Sequence, residues 1–253
     1  MTFRSIALSA ALTAAVAAAA VPAAAFDITQ MTPEESAAFG AQVRSYLVDN
    51  PEVMIEVMNA LEARQQQAQA ASDSDIIAAN SAALYQDDGS WVGGNPEGDV
   101  TVVEFLDYRC GYCRKAHSEV QELVKSDGNI RYVVKEFPIL GEDSVTASRF
   151  AISVLQTAGP EAYAKVKDAF YTSFRGEMSE DNLRGLASAA GADPAKVIAH
   201  MATPEVEAVI RANHELAGKL QIQGTPTFVI GEQMLRGYLP LDGMRQVVDE
   251  ARG

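Results

Sequence analysis

Val102-Val103-Glu104-Phe105-Leu106 leads through Asp107-Tyr108-Arg109 into Cys110-Gly111-Tyr112-Cys113, which holds the only 2 cysteines of the 253 residues. An apolar strand that ends in Cys-X-X-Cys and continues as a helix is a redox arrangement. A disulfide across so short a loop constrains the unfolded chain by only about 2 kcal/mol. The pair is therefore expected to do chemistry rather than to hold structure.

A thiolate, not a thiol, attacks a disulfide. Cys110 stands where the helix begins, and free backbone N–H groups and the macrodipole favour an anion there. Arg109, Arg114, Lys115 and His117 crowd the same turn. A Cys110 pKa well below the ordinary ~8.5 follows if these cations reach the sulfur. The other reading is a solvated basic helix face that never feels it. Cys110 is expected to be the exposed nucleophile and Cys113, one turn in, the buried resolving thiol. Gly111 would let the backbone turn tightly, and Tyr112 would lend an aromatic surface to a substrate.

Glu104 interrupts an apolar strand. Buried beneath the dithiol, it would be held protonated by desolvation and could move the proton when Cys113 attacks. Turned outward or paired with a lysine, it would be an ordinary strand residue. Gly224-Thr225-Pro226-Thr227 precedes the last strand, where Pro needs no ladder donor. Its functional reading is a cis Thr225–Pro226 bond in a loop opposite the cysteines.

Outward from the motif, Ile130 to Phe137 reads as a second strand and residues 142–223 as a helical block. Breakers in that block lie at Gly159-Pro160, Gly176, Gly191-Ala192-Asp193-Pro194 and Thr203-Pro204. Ser179, Asp193 and Thr203 are suited to N-caps. Thr227 to Ile230 and Met234 to Arg236 form a hairpin, and Leu239 to Ala251 a closing helix. Strand–helix–strand, a helical block, then hairpin and helix make an α/β arrangement with a helical insertion. Upstream, Thr32-Pro33-Glu34-Glu35 is a helix start with a capping box, and Asn50-Pro51-Glu52 restarts the chain in the same way. Phe39, Val43, Tyr46 and Leu47, then Val53, Met54, Val57, Met58 and Leu61, are spaced as apolar stripes. Glu62 to Ser74 is polar and reads as an exposed helix or flexible linker. A short arm without a core must dock on the following domain or on copies of itself, and that polar stretch favours self-association.

The start of the chain reads as a leader. Arg4 precedes an Ala/Leu/Val stretch, Pro22 ends it, and Ala23-Ala24-Ala25 offers small residues for cleavage near Ala25. An export leader rather than a membrane anchor is expected, placing the mature protein in a periplasm, where disulfide exchange is permitted. The chain has 20 basic and 34 acidic residues, for a net charge of −14. So acidic a surface disfavours nucleic acid and anionic lipid as partners. The expected divisions are a leader at 1–25, a helical arm and linker at 26–86, and a redox domain at 87–253.

The run Glu104 to Cys113, the helical insertion and Gly224-Thr225-Pro226-Thr227 together resemble the DsbA-like branch of the thioredoxin superfamily, over about residues 87–253. The resemblance implies a thioredoxin fold with an inserted helical domain, preceded here by the arm, and a cis Pro226. It implies that Cys110 is the nucleophile, Cys113 the resolving thiol and Glu104 a proton-transfer group, with Thr225 and Pro226 facing them. Val43 to Val53, followed by Ala63-Arg64-Gln65, is similar to the arm of ScsC-like (suppressor of copper sensitivity) and Com1-like exported proteins. In some of those the arm builds a trimer that acts as a disulfide isomerase. Gly-Tyr between the cysteines departs from the Pro-His of the strongly oxidising DsbA type. The function so implied is an exported thiol–disulfide oxidoreductase acting on protein substrates. It would work as a homotrimeric isomerase kept reduced by a membrane partner, with no cofactor. The alternatives are a DsbA-type dithiol oxidase, or a copper-binding protein using Cys110, Cys113 and His117.

Overall fold

The computed structural model describes residues 28–86 and 88–253, so the expected leader lies outside the described residues. The chain divides into two units between Ala60 and Leu61.

The first unit holds a 3-10 turn at Ile28–Gln30, helix α1 (Pro33–Asp49) and the start of α2 (Glu52–Ala79). The capping box forms as the sequence predicts. Thr32 Oγ1 accepts from the Glu35 N–H at 3.2 Å, and the Glu35 carboxylate accepts from the Thr32 N–H at 2.9 Å. No side chain of α1 is buried. Phe39, Val43, Tyr46, Met54, Val57 and Met58 all stand exposed.

The second unit begins inside α2. Of the two readings of Glu62 to Ser74, exposed helix or flexible linker, the structure takes the first, because α2 is continuous to Ala79. Its far end is docked. Asp73, 4% exposed, takes Arg236 in a bidentate pair at 2.7 and 2.8 Å and accepts from Gln69 Nε2 at 2.9 Å. Ile77 of α2 and Leu84 of α3 (Ser81–Tyr85) enter the core. Residues 61–86 therefore go with the redox domain. The polar composition of 62–74 hid this, because the attachment there is a half-buried ion pair, with the apolar anchors Ile77 and Leu84 further along.

The strands are β1 (Trp91–Gly94), β2 (Val100–Leu106), β3 (Ile130–Glu136), β4 (Thr227–Ile230) and β5 (Gln233–Arg236). They form one sheet in the order β1-β3-β2-β4-β5, in which only β2 and β3 run parallel. The β2–β3 crossover is α4 (Gly111–Asp127). The insertion comprises α5 (Glu142–Ala158), α6 (Pro160–Thr172), α7 (Glu180–Ala190), α8 (Pro194–His200) and α9 (Pro204–Lys219), and α10 (Leu241–Arg252) closes the chain. Alternation along the central strands splits the core. Val102 and Leu106 join a cluster with α4, α5, α6 and α10, whereas Val103 and Phe105 join one with Ile77, Leu84 and α9. Ser179 and Asp193 cap their helices through their side chains, and Thr203 caps by position only. Among the described residues no helix is long and apolar enough to cross a membrane.

Candidate active site

Cys110 is the N-cap of α4, and its Sγ accepts from the Cys113 N–H at 3.4 Å. As a thiol, it donates to the Thr225 carbonyl at 3.1 Å. The Thr225–Pro226 bond is cis, and its loop lies directly over the nucleophile. That loop leaves Cys110 only 7% exposed, where the sequence reading expected an open sulfur. Cys113 is fully buried and Tyr112 is 64% exposed, so a substrate meets the tyrosine first. Gly111 has an ordinary φ and open space where a Cβ would stand. The fold therefore does not require its small size.

The Cys110 pKa is pulled down to about 5. The first cause is the hydrogen bond with the Cys113 side chain, opposed by burial. The Thr225 side chain and the N–H groups of Cys113 and Tyr112, by hydrogen bonding to the sulfur, add to it. The four nearby cations are not the cause. Arg109 lies 3.7 Å from Asp143, and Arg114 donates to the Tyr171 carbonyl. Lys115 sits 4.0 Å over the Tyr238 ring, and His117 Nε2 lies 2.9 Å from Asp168. None of the four is aimed at the sulfur, though only Arg109, Arg114 and Lys115 belong to a solvated face, because His117 is buried. The Cys113 thiol is pushed far up, by burial first, then by its hydrogen bond to Cys110 and the charge of Glu104. The two sulfurs thus divide the work: one is a thiolate at neutral pH and the other keeps its proton until something takes it.

Glu104 is buried, 3% exposed, and accepts a short hydrogen bond from the Tyr132 hydroxyl. Burial raises its pKa, against the lowering effects of Lys167 and Tyr132. The inward placement is the one that permits proton transfer.

Three groups near the site carried no sequence signal. Asp107, fully buried, accepts from the N–H groups of Arg109 at 2.7 Å, Ile139 at 2.8 Å and Leu140 at 3.1 Å. It also accepts from the Ser144 hydroxyl at 2.8 Å. One carboxylate therefore ties the active-site loop to the segment between β3 and α5. Glu136 accepts from Tyr108 at 2.6 Å, Tyr163 at 2.5 Å and Ser148 at 2.7 Å. Burial lifts its pKa to about 7 against those three donors. The third is Lys167, on α6. An Asp107→Ala variant should lose about 3 kcal/mol or more of stability, since each orphaned buried donor costs about 1–3 kcal/mol. Urea unfolding of the reduced variant checks this, and Asp107→Asn should lie between the two.

A groove of about 440 Å³ runs beside the cis peptide, lined by Gln69, Gln221, Gln223, Thr225, Pro226 and Arg236. Its amide groups suit an extended polypeptide backbone. For copper, the sequence set of Cys110, Cys113 and His117 does not assemble, because His117 Nε2 is taken by Asp168 and Gln121, each at 2.9 Å. His200 bonds Gln156 at 2.7 Å, and His214 packs on Phe137 at 4.8 Å. Among the described residues no group of three or more His, Cys, Asp or Glu side chains is placed to hold a metal ion.

A family model described as thioredoxin matches residues 86–250, and one described as the N-terminal domain of the copper resistance protein ScsC matches residues 35–68. A thioredoxin-like oxidoreductase from Silicibacter pomeroyi DSS-3 is 40% identical, with a TM-score of 0.61 over 68% of this chain and 96% of that one. The thiol–disulfide exchange protein alpha-DsbA2 of Wolbachia pipientis is 27% identical, with a TM-score of 0.67 over 72% of this chain and 97% of that one. ScsC of Proteus mirabilis is 25% identical, with a TM-score of 0.63 over 89% of this chain and 98% of that one. A Na(+)/H(+) antiporter NhaA from Salinispora arenicola is 29% identical over 161 residues, 63% of this chain, and this chain spans 24% of that protein's length.

Proposed function

We propose that this chain, which belongs to the thioredoxin family, is an exported disulfide isomerase that acts on protein substrates as a homotrimer. Its general chemistry is that of a thiol–disulfide oxidoreductase. The isomerase reading goes further, and the observation that carries it is the arm. Six large apolar side chains, Phe39, Val43, Tyr46, Met54, Val57 and Met58, stand in water there, over a stretch matched by the ScsC N-terminal model. Such a stripe marks an interaction face. Filled by copies of itself, it would hold several dithiols around one substrate space.

The Cys110 thiolate attacks one sulfur of a non-native disulfide. The Cys110–substrate bond forms, the substrate bond breaks, and the other substrate sulfur leaves as a thiolate. A substrate thiolate then attacks the mixed disulfide, a different substrate bond forms, and Cys110 departs as a thiolate with no net change of electrons. If none arrives, Cys113 gives up its proton and attacks Cys110. The enzyme is left oxidised and the substrate reduced, and a membrane reductant must restore the dithiol. A periplasmic setting supplies both substrate and reductant.

The test is reactivation of scrambled ribonuclease alongside the mass in solution. Trimeric protein that restores activity, and a Cys110→Ala variant that does not, are expected. A monomer, or dithiol oxidation without reactivation, overturns the isomerase reading. A second reading, dithiol oxidase, is favoured by the low Cys110 pKa of about 5. A stabilised thiolate favours the reduced enzyme and makes its disulfide a stronger oxidant. Cys110–Cys113 trapped mostly oxidised in the cell would support it.

A further inference from the structure

Lys167 lies on α6, the second helix of the insertion, yet it is only 3% exposed. An ammonium carries three N–H donors and no acceptor. Among the described residues no hydrogen bond or ion pair takes up any of the three. The neighbouring carboxylates are occupied by other donors. Glu136 accepts from Tyr108, Tyr163 and Ser148, Glu104 from Tyr132, and Asp168 from Gln121 and Thr172 beside His117. They act on Lys167 only through space, against the burial that lowers its pKa. The ammonium rests instead against two rings, 5.0 Å from that of Tyr132 and 5.5 Å from that of Trp91. Native proteins seldom leave a buried donor in this condition. Nor is it sealed in, since among the described residues the one sealed polar atom without a partner is Thr203 Oγ1.

Lys167, Tyr132 and Trp91 line one cleft of about 520 Å³ between β1, α4 and α6. Small-molecule pockets occupy about 300–1,000 Å³. Tyr132 and Lys167, both 3% exposed, form its floor. Trp91, Val124 and Ala164, each half-buried, form apolar walls, and Gln121 and Lys125 stand exposed at the rim. Neither cysteine nor the Thr225–Pro226 loop lines it. No Asp or Glu lines it either, although the chain has 34 acidic residues. The principal wall is held in place. The Trp91 ring stacks on Tyr163 at 5.5 Å, meets Tyr132 edge-on at 5.8 Å, and donates from Nε1 to the Pro160 carbonyl at 2.9 Å. A Cβ at Gly93 would collide with that ring, so glycine is what lets the indole lie across β1.

We propose that this cleft is a second binding site, apart from the dithiol, for a small carboxylic acid with an apolar body. The carboxylate accepts hydrogen bonds from Lys167, and the apolar part lies along Trp91, Val124 and Ala164 toward the rim. Such a ligand supplies the acceptors that the fold leaves out, in a charge-assisted form. A single negative charge suits the floor, which offers one ammonium. The second charge of a phosphate would stand unpaired beside the fields of Glu104, Glu136 and Asp168. Lys125 at the rim draws an anion toward the opening of an otherwise acidic protein.

The experiment titrates the full mature chain with octanoate, octanamide and inorganic phosphate. Trp91 is the only tryptophan, so its fluorescence reports on the cleft directly, and calorimetry gives the stoichiometry. Octanoate should bind once per chain, with a Kd on the order of 100 μM. Octanamide, which has the same body without the charge, should bind about tenfold more weakly. Phosphate should not bind. Lys167→Met should bring octanoate down to the octanamide level and leave octanamide unchanged, whereas a purely structural role would weaken both. If Lys167→Met does not fold, Lys167→Gln carries the same expectations. Ala164→Phe, which fills the cleft, should abolish binding of both. Equal binding of octanoate and octanamide overturns the proposal, as does a preference for the acid that survives removal of the ammonium. So does octanoate binding that leaves Trp91 unmoved or persists in Ala164→Phe, which would place it on the exposed stripe of the arm. Phosphate that displaces octanoate would overturn the choice of a carboxylic acid.

Discussion

Iodoacetamide should alkylate the reduced protein at Cys110 alone, at a rate that is flat above neutral pH and half-maximal near pH 5, where the structure places its pKa. Below that point the rate should fall about tenfold per pH unit as the thiolate is protonated. Cys110→Ala should abolish alkylation and all turnover. Cys113→Ala should keep the nucleophile, trap mixed disulfides and move the midpoint upward, because the Cys113 side chain is the first cause of the low value. Neutralising Arg109 or Lys115 should leave the midpoint in place, since neither is among its causes. The linkage follows with a definite sign. Cys110 has a folded pKa of about 5 and an unfolded one of ~8.5, so between the two the unfolded chain binds more protons. The stability of the reduced form therefore rises with pH across that window and is lost as pH falls through 5. The oxidised form has no such proton. The melting temperature of reduced minus oxidised protein should increase from pH 5 to pH 8, and a flat difference would refute the assignment.

The causes of that low pKa show where reading the sequence succeeds and where it stops. The apolar run into Cys110, the capping box at Thr32 and the Pro226 loop are local signals, and the structure contains each of them. The cause of the Cys110 shift is a matter of aim. Four basic residues within two turns of the sulfur are all directed elsewhere, to Asp143, Tyr171, Tyr238 and Asp168. Asp107, Glu136 and Lys167 escaped notice for a related reason. Each is an ordinary charged residue in its own segment and becomes unusual only when the fold removes its water. The β2–β3 pairing sets Glu104 beside Val134 and Leu106 beside Glu136. The insertion then lays Tyr163 and Lys167 over that face. No local pattern announces a partner contributed by a distant helix.

The same limit governs where the chain can be cut, which gives the sharpest test of the arm. A chain truncated to begin at Leu61 should fold, run as a monomer, keep single-turnover dithiol oxidation and lose reactivation of scrambled ribonuclease. It discards the exposed apolar stripe and leaves the buried contacts of the redox domain intact. A chain truncated to begin at residue 87, the boundary that composition suggests, should behave quite differently. It loses Ile77 at 3% exposure and Leu84 at 0%, each worth about 1.5–3 kcal/mol when fully buried. It also strands Arg236 without Asp73, and Lys135 without the Ala83 carbonyl that its ammonium bonds at 2.8 Å. Lys135 is 1% exposed and its pKa is already pulled down to about 8 by burial. Losing that carbonyl therefore removes one of the contacts that offset the burial of its charge. A loss comparable to the whole stability of a small domain is expected for this second truncation. Urea unfolding and sedimentation of the two truncations separate the effects. A Leu61 truncation that stays trimeric would refute the arm as the assembly element, and one that is monomeric yet still reactivates ribonuclease would refute the link between assembly and isomerisation.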